Sequence, residues 1–159
     1  MLDVTVICVG GLKEKFWKDA CAEYIKRLTP WARASVIEIP AERLPGRPGE
    51  AEIRRALERE GEKITAAVPK GAFVTALCVE GRQPDSEAFS ALVAARMQTA
   101  GRLAFIIGGS YGLDESVKKA AGDRLSLSNM TFPHMTARVL LLEQLYRALS
   151  IINGGKYHK

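Results

Sequence analysis

The 159-residue chain has only three cysteines, two histidines and no long apolar run. Cys8, Cys21 and Cys78 are odd in number, far apart and set among apolar residues. That pattern argues against a disulfide framework, has no metal-ligand spacing, and reads as small buried hydrophobes in a reducing compartment. No metal is expected. The longest strongly apolar stretch, Val139 to Leu142, falls far short of the roughly 20 residues a membrane-crossing helix needs, so no membrane partner is expected either. The opening MLDVTVICVGG has no basic leader before its apolar residues and reads as a strand, which points to a cytoplasmic location. Internal repeats and low-complexity tracts are missing too. What is present is 47% hydrophobic and 26% charged residues of mixed sign, which excludes disorder and fits a single domain over residues 1–159. Lys plus Arg number 23 against 18 Asp plus Glu, a net charge of +5, a modest tilt towards a polyanionic partner.

Strand and helix patterns alternate along the chain. Leu2 to Val9 alternates and ends at Gly10-Gly11; Phe16 to Leu28 recurs at helical spacing up to Pro30. Ser35 to Ile39 reads as a short strand and Ala41 to Gly49 as a loop, followed by a helix over Glu50 to Ala67. Phe73 to Val79 is a buried strand closed by Gly81, Ser86 suits a helix N-cap, and Leu103 to Ile107 is a further apolar strand. Asp114 can cap a short helix through Ala121. Arg124 to Ser128 reads as a strand, and a long helix runs from His134 to Ile152. Inner strands apolar on both faces predict an α/β fold, a mostly parallel sheet flanked by helices. Ligands of such sheets sit beyond the carboxyl ends of the strands, at Gly10–Gly11, Val79–Gly81, Gly108–Gly112 and Leu127–Pro133.

Three of these segments carry chemistry. FIIGGSYGL, Phe105 to Leu113, brings glycines directly after a buried strand, where backbone can approach a ligand closely. It is no phosphate loop, because Asp114 and Glu115 stand where Lys and Ser/Thr are required, and GxGxxG fails as well. An uncharged or cationic ligand suits it better. LSLSNMTFPH, Leu125 to His134, mixes hydroxyls with Leu127, Met130 and Phe132, a wall that suits an adenine ring, although an ordinary strand–turn–helix junction carries similar residues. The tail NGGKYHK ends with Tyr157, His158 and two lysines; a ring can stack on a base and a histidine can move a proton near neutral pH. His134 reads as a local hydrogen-bonding residue.

The segments FIIGGSYGL, LSLSNMTFPHMTARVLLLEQLYRA and the terminal YHK resemble the ribosomal large-subunit RNA methyltransferase H family, small members of the SPOUT class of trefoil-knotted methyltransferases. VGGLKEKFWKDACAEYIKRLTPW and SVIEIPAE look like that family too, so the resemblance spans essentially the whole chain. It implies methylation of N3 of a pseudouridine in 23S rRNA of the assembled ribosome, with S-adenosylmethionine as donor and a homodimer as the working form. It also implies a knot, with the last helix threaded through the loop after the fourth strand. Carried over, the donor-contacting positions are Leu77, Gly108, Leu127, Ser128, Asn129, Met130, Thr131 and Phe132.

Methyl transfer to N3 requires loss of a proton and a shaped, dry site. The catalytic candidates are His158 as proton acceptor or orienter, Tyr157 as stacking or hydrogen-bonding partner, and Arg138 as an anion contact. Arg138 lies one turn into an apolar helix, so a structural pair with Glu143 or a contact between copies is an equal reading. That helix is apolar nearly all round, which leaves a face for a second copy. Lys13, Lys15, Lys18, Lys156 and Lys159 are the candidate phosphate contacts, and DNA is not an expected partner. The alternatives are a SPOUT methyltransferase of another RNA base, a non-catalytic ribosome-binding protein of the same fold, and a nucleotide-binding α/β protein, the last weakened by the missing phosphate loop.

Overall fold

A computed structural model describes residues 1–159 throughout. The elements are β1 (Leu2–Val9), α1 (Lys15–Leu28), β2 (Ala32–Ile39), α2 (Glu50–Ala67), β3 (Phe73–Arg82), α3 (Ser86–Thr99), β4 (Arg102–Ile107), α4 (Glu115–Ala120), β5 (Asp123–Leu125) and α5 (His134–Ile152). The five strands form one sheet in the order β2-β1-β4-β3-β5, and every neighbouring pair is parallel. The expected α/β architecture is the one observed.

Side chains of successive strand residues alternate between two cores. Val4, Val6, Cys8, Leu103, Phe105 and Ile107 pack against α1, α3 and α5; Ile7, Val9 and Ile106 pack with Ile64 of α2 and Val117 of α4. Both connections that step towards the β2 edge, through α1 and α3, use the first face. Both that step towards the β5 edge, through α2 and α4, use the second. Opposite steps on opposite faces are what a single crossover hand requires. Each strand therefore ends at the same edge of the sheet, and the loops beyond those ends are brought together.

Several boundaries differ from the sequence expectation, each for a local reason. β2 begins at Ala32 because it pairs with β1 along its whole length, from Leu2↔Ala32 to Val9↔Ile39. β5 stops at Leu125: Ser126 Oγ donates to the Ser128 carbonyl at 2.9 Å and Ser128 Oγ accepts from Met130 N at 3.0 Å, which turns the chain out of the sheet. Asp85, not Ser86, caps α3, its carboxylate accepting from Ala88 N at 2.8 Å, while Ser86 Oγ donates to Gln144 Oε1 at 2.7 Å. The apolar girth of α5 is covered only in part within one chain. Leu141, Leu142, Leu145 and Leu149 are fully buried because α5 lies between α1 and α3, whereas Met135, Val139 and Leu140 on the same helix stay only half-buried.

Candidate functional site

β3 and β5 lose register where the site begins. Leu125 is paired with both Leu77 and Arg82, so Cys78, Val79, Glu80 and Gly81 are looped out of the ladder. Gly81 permits this, since a Cβ there would meet Leu125 backbone at 2.7 Å. Opposite the looped-out segment, Gly108 to Gly112 folds back on itself: a Cβ on Gly108 would lie 2.5 Å from the Gly112 carbonyl oxygen, and Gly112 has a φ of +83°. Residues 126–132 close the third side. Together these loops line a cleft of about 350 Å³ at the carboxyl edge of the sheet, within the range of small-ligand sites.

Seven of the eight donor positions expected from the sequence line this cleft: Leu77, Gly108, Leu127, Ser128, Met130, Thr131 and Phe132. Asn129 does not; its side-chain oxygen accepts from Gln83 Nε2 at 2.8 Å. Cys78, Val79, Glu80, Tyr111 and Lys118 also line it and were not among the eight donor positions. The loops Val79–Gly81 and Gly108–Gly112 were the available signal for Val79, Glu80 and Tyr111. Lys118 sits inside a short helix and had none. Asp114 caps that helix, its carboxylate accepting from Ser116, and Glu115 Oε1 accepts from Lys118 Nζ at 3.1 Å, so the acidic pair after the glycines has local work to do. No cluster of His, Cys, Asp and Glu is arranged to hold a metal ion.

The turn at Gly10–Gly11 is filled by the start of α5 instead of joining the cleft. His134 lies against Gly10, whose φ is +101°, and a Cβ there would meet the His134 ring at 2.9 Å. Arg138 donates to Glu38 Oε2 at 2.9 Å and to the Gly10 carbonyl at 3.0 Å, and is only 2% exposed. Its partner is thus Glu38, not Glu143. His134 Nδ1 is buried without a partner, so this ring packs and does not play the hydrogen-bonding part expected of it. Burial, reinforced by the Arg138 charge, lowers its pKa.

The tail folds back on the outer flank of α5 and lines no part of the cleft. Tyr157 donates from its hydroxyl to Glu143 Oε1 at 3.0 Å and packs on Tyr146 with ring centroids 4.6 Å apart. Arg147 Nη1 donates to His158 Nδ1 at 3.2 Å. A neutral ring so engaged carries its proton on Nε2, which faces Glu87 Oε1 at 3.7 Å. Docked in this way, His158 has no free nitrogen to accept a proton. Desolvation, then the Glu143 carboxylate, push the Tyr157 pKa up to about 12.

A family model described as "Predicted SPOUT methyltransferase" matches residues 2–158. Among curated relatives, the ribosomal RNA large subunit methyltransferase H of Carboxydothermus hydrogenoformans is 42% identical over 159 residues, covering 99% of this chain and 100% of the relative. Proteins of the same name from Bacillus cereus and Listeria monocytogenes are 44% and 39% identical over 160 residues, with the same coverage of both chains. With matches of this length and identity, on a parallel sheet whose strand-end loops enclose a small-ligand cleft, the chain belongs to the SPOUT methyltransferase family.

Proposed function

We propose that this chain methylates N3 of a pseudouridine in 23S rRNA of the assembled ribosome, as a cytoplasmic homodimer with S-adenosylmethionine as methyl donor. The observation that carries the reading is the cleft itself, lined by seven of the positions that the family resemblance assigns to the donor. The relatives' shared name supports the RNA substrate, and the excess of Lys and Arg suits it.

The cleft fits the donor chemically. Leu77, Leu127, Met130 and Phe132 offer apolar surface for the faces of an adenine, and the turned backbone of 126–132 offers polar groups for its edge. The close approach at Gly108 keeps that wall free of side-chain bulk. When bound, S-adenosylmethionine supplies a methyl group activated by a sulfonium centre. The protein's part is to fix the line of attack and exclude water, which the apolar walls do. His158 and Tyr157 serve the acceptor base: Tyr157 orients it, and His158 takes or steers the N3 proton once Arg147 releases Nδ1. Because both tail residues lie off the cleft of their own chain, they reach a cleft by leaving this dock or by entering that of the second copy. Arg138 takes a positioning role, anchoring α5 to the ends of β1 and β2. The threading of α5 implied by the family accompanies this reading, since residues 126–133 must carry the chain from the β5 edge back across the strand ends to Gly10.

Mass-spectrometric mapping of methylated nucleosides in ribosomes from cells with and without the protein tests the reaction. The expected result is loss of one methylated pseudouridine and its restoration by the purified enzyme. A methyl group missing from some other RNA base would favour the alternative substrate. Absence of any calorimetric heat with S-adenosylmethionine would favour a non-catalytic ribosome-binding role.

A further inference from the structure

Only two of the residues lining the cleft carry charge, Glu80 and Lys118, and they are of opposite sign. Lys118 Nζ donates to Glu80 Oε1 at 2.6 Å and to Glu115 Oε1 at 3.1 Å. An ammonium has three N–H groups, so one remains uncommitted. The Lys118 side chain is only 13% exposed, unusual for a lysine, while that of Glu80 is 51% exposed, on the open side of the pair. Glu80 is also held in the looped-out segment of β3, which puts its carboxylate at the rim and not in the sheet.

S-Adenosylmethionine has a neutral adenosine, a cationic sulfonium and an amino-acid end bearing one ammonium and one carboxylate. The rest of the cleft is uncharged, so the zwitterionic end has one matching place. We propose that Glu80 and Lys118 receive the amino-acid end of the donor, Lys118 taking its carboxylate and Glu80 its ammonium. This rests on the donor reading above and assigns two binding residues that the resemblance does not name. Glu115 keeps Lys118 in place while Lys118 donates its uncommitted N–H to the ligand carboxylate and Glu80 accepts from the ligand ammonium. The ion pair would thus act as a preformed template, and the charged ends would be discriminated by charge-assisted hydrogen bonds.

The test is calorimetric titration of the full-length protein with three probes: S-adenosylmethionine, its decarboxylated form, and 5′-methylthioadenosine, which lacks the amino-acid end. Wild type should prefer S-adenosylmethionine over the decarboxylated form by about ten-fold or more. In Lys118→Met that preference should fall to about one, with methylthioadenosine affinity kept. Glu80→Gln should weaken both ammonium-bearing probes by about ten-fold and leave methylthioadenosine unchanged. A preference that survives in Lys118→Met, or is missing from wild type, overturns the assignment. So does a parallel loss of methylthioadenosine affinity in both variants, which would mean that the pair merely holds the cleft together. If wild type binds neither S-adenosylmethionine nor methylthioadenosine, the donor reading itself has failed, and the assignment with it.

Discussion

Gly10 shows how one residue couples a strand end to a distant helix. It has a left-handed φ, its N–H donates to the Ile39 carbonyl at 2.8 Å, its carbonyl accepts from Arg138, and the His134 ring occupies the space a Cβ would need. Gly10→Ala should therefore destabilise the fold by at least about 2 kcal/mol, about half from backbone strain and the rest from displacing His134. A urea unfolding midpoint equal to that of wild type would contradict this. The glycine pair was legible in the sequence as a turn after a strand. Its use was not, because His134 and Arg138 lie more than a hundred residues further on, and nothing local marks a turn as filled from elsewhere.

Among the elements, α5 and the tail that follows it carry the largest difference between sequence and structure. Their extent was readable from the helical spacing of Val139 to Leu149 and the stop at Asn153-Gly154, where Gly154 has a φ of +72°. The apolar surplus was also readable, but what covers it depends on α1 and α3, whose placement on the same face follows from crossover hand and not from their own sequences. The tail docks through Tyr157, whose neutral phenol is favoured by desolvation and by the Glu143 carboxylate. A folded pKa of about 12, above the ordinary 10.0, means that this contribution to docking is complete below pH 10 and is lost as pH rises through about 12. Tyrosinate absorbance of the wild type should show one late component near pH 12, and Tyr157→Phe should remove it. Ordinary titration of all the tyrosines would show that the tail is not held.

For the whole molecule, the governing fact is geometric: the tail lines no part of the cleft of its own chain. Three of the five large exposed apolar residues, Val79, Tyr111 and Met130, sit on the cleft lining, a surface that suits docking by RNA or by a second copy. If the tail of one copy completes the cleft of the other, a chain truncated after Gly155 should fold and bind donor yet fail to methylate. Mixed with a full-length Gly108→Val copy, whose cleft is obstructed, it should recover activity in the mixed dimer, where the intact cleft meets the intact tail. No recovery in a mixed dimer verified by mass would show that the tail serves its own chain.

The sequence by itself determined the alternation of strand and helix, the parallel sheet and the carboxyl-edge loops. These depend on short-range periodicity and on glycines whose backbone freedom is local. It also carried the loop on the third side of the cleft, because Leu127 to Phe132 is one contiguous segment. Tertiary structure decided that Arg138 pairs with Glu38, that Asn129 leaves the cleft for Gln83, and that Lys118 enters it beside Glu80. Each of these is a choice of partner between segments far apart in the chain. Such choices are made by sheet order and by the irregular end of β3, which no periodicity in the sequence encodes.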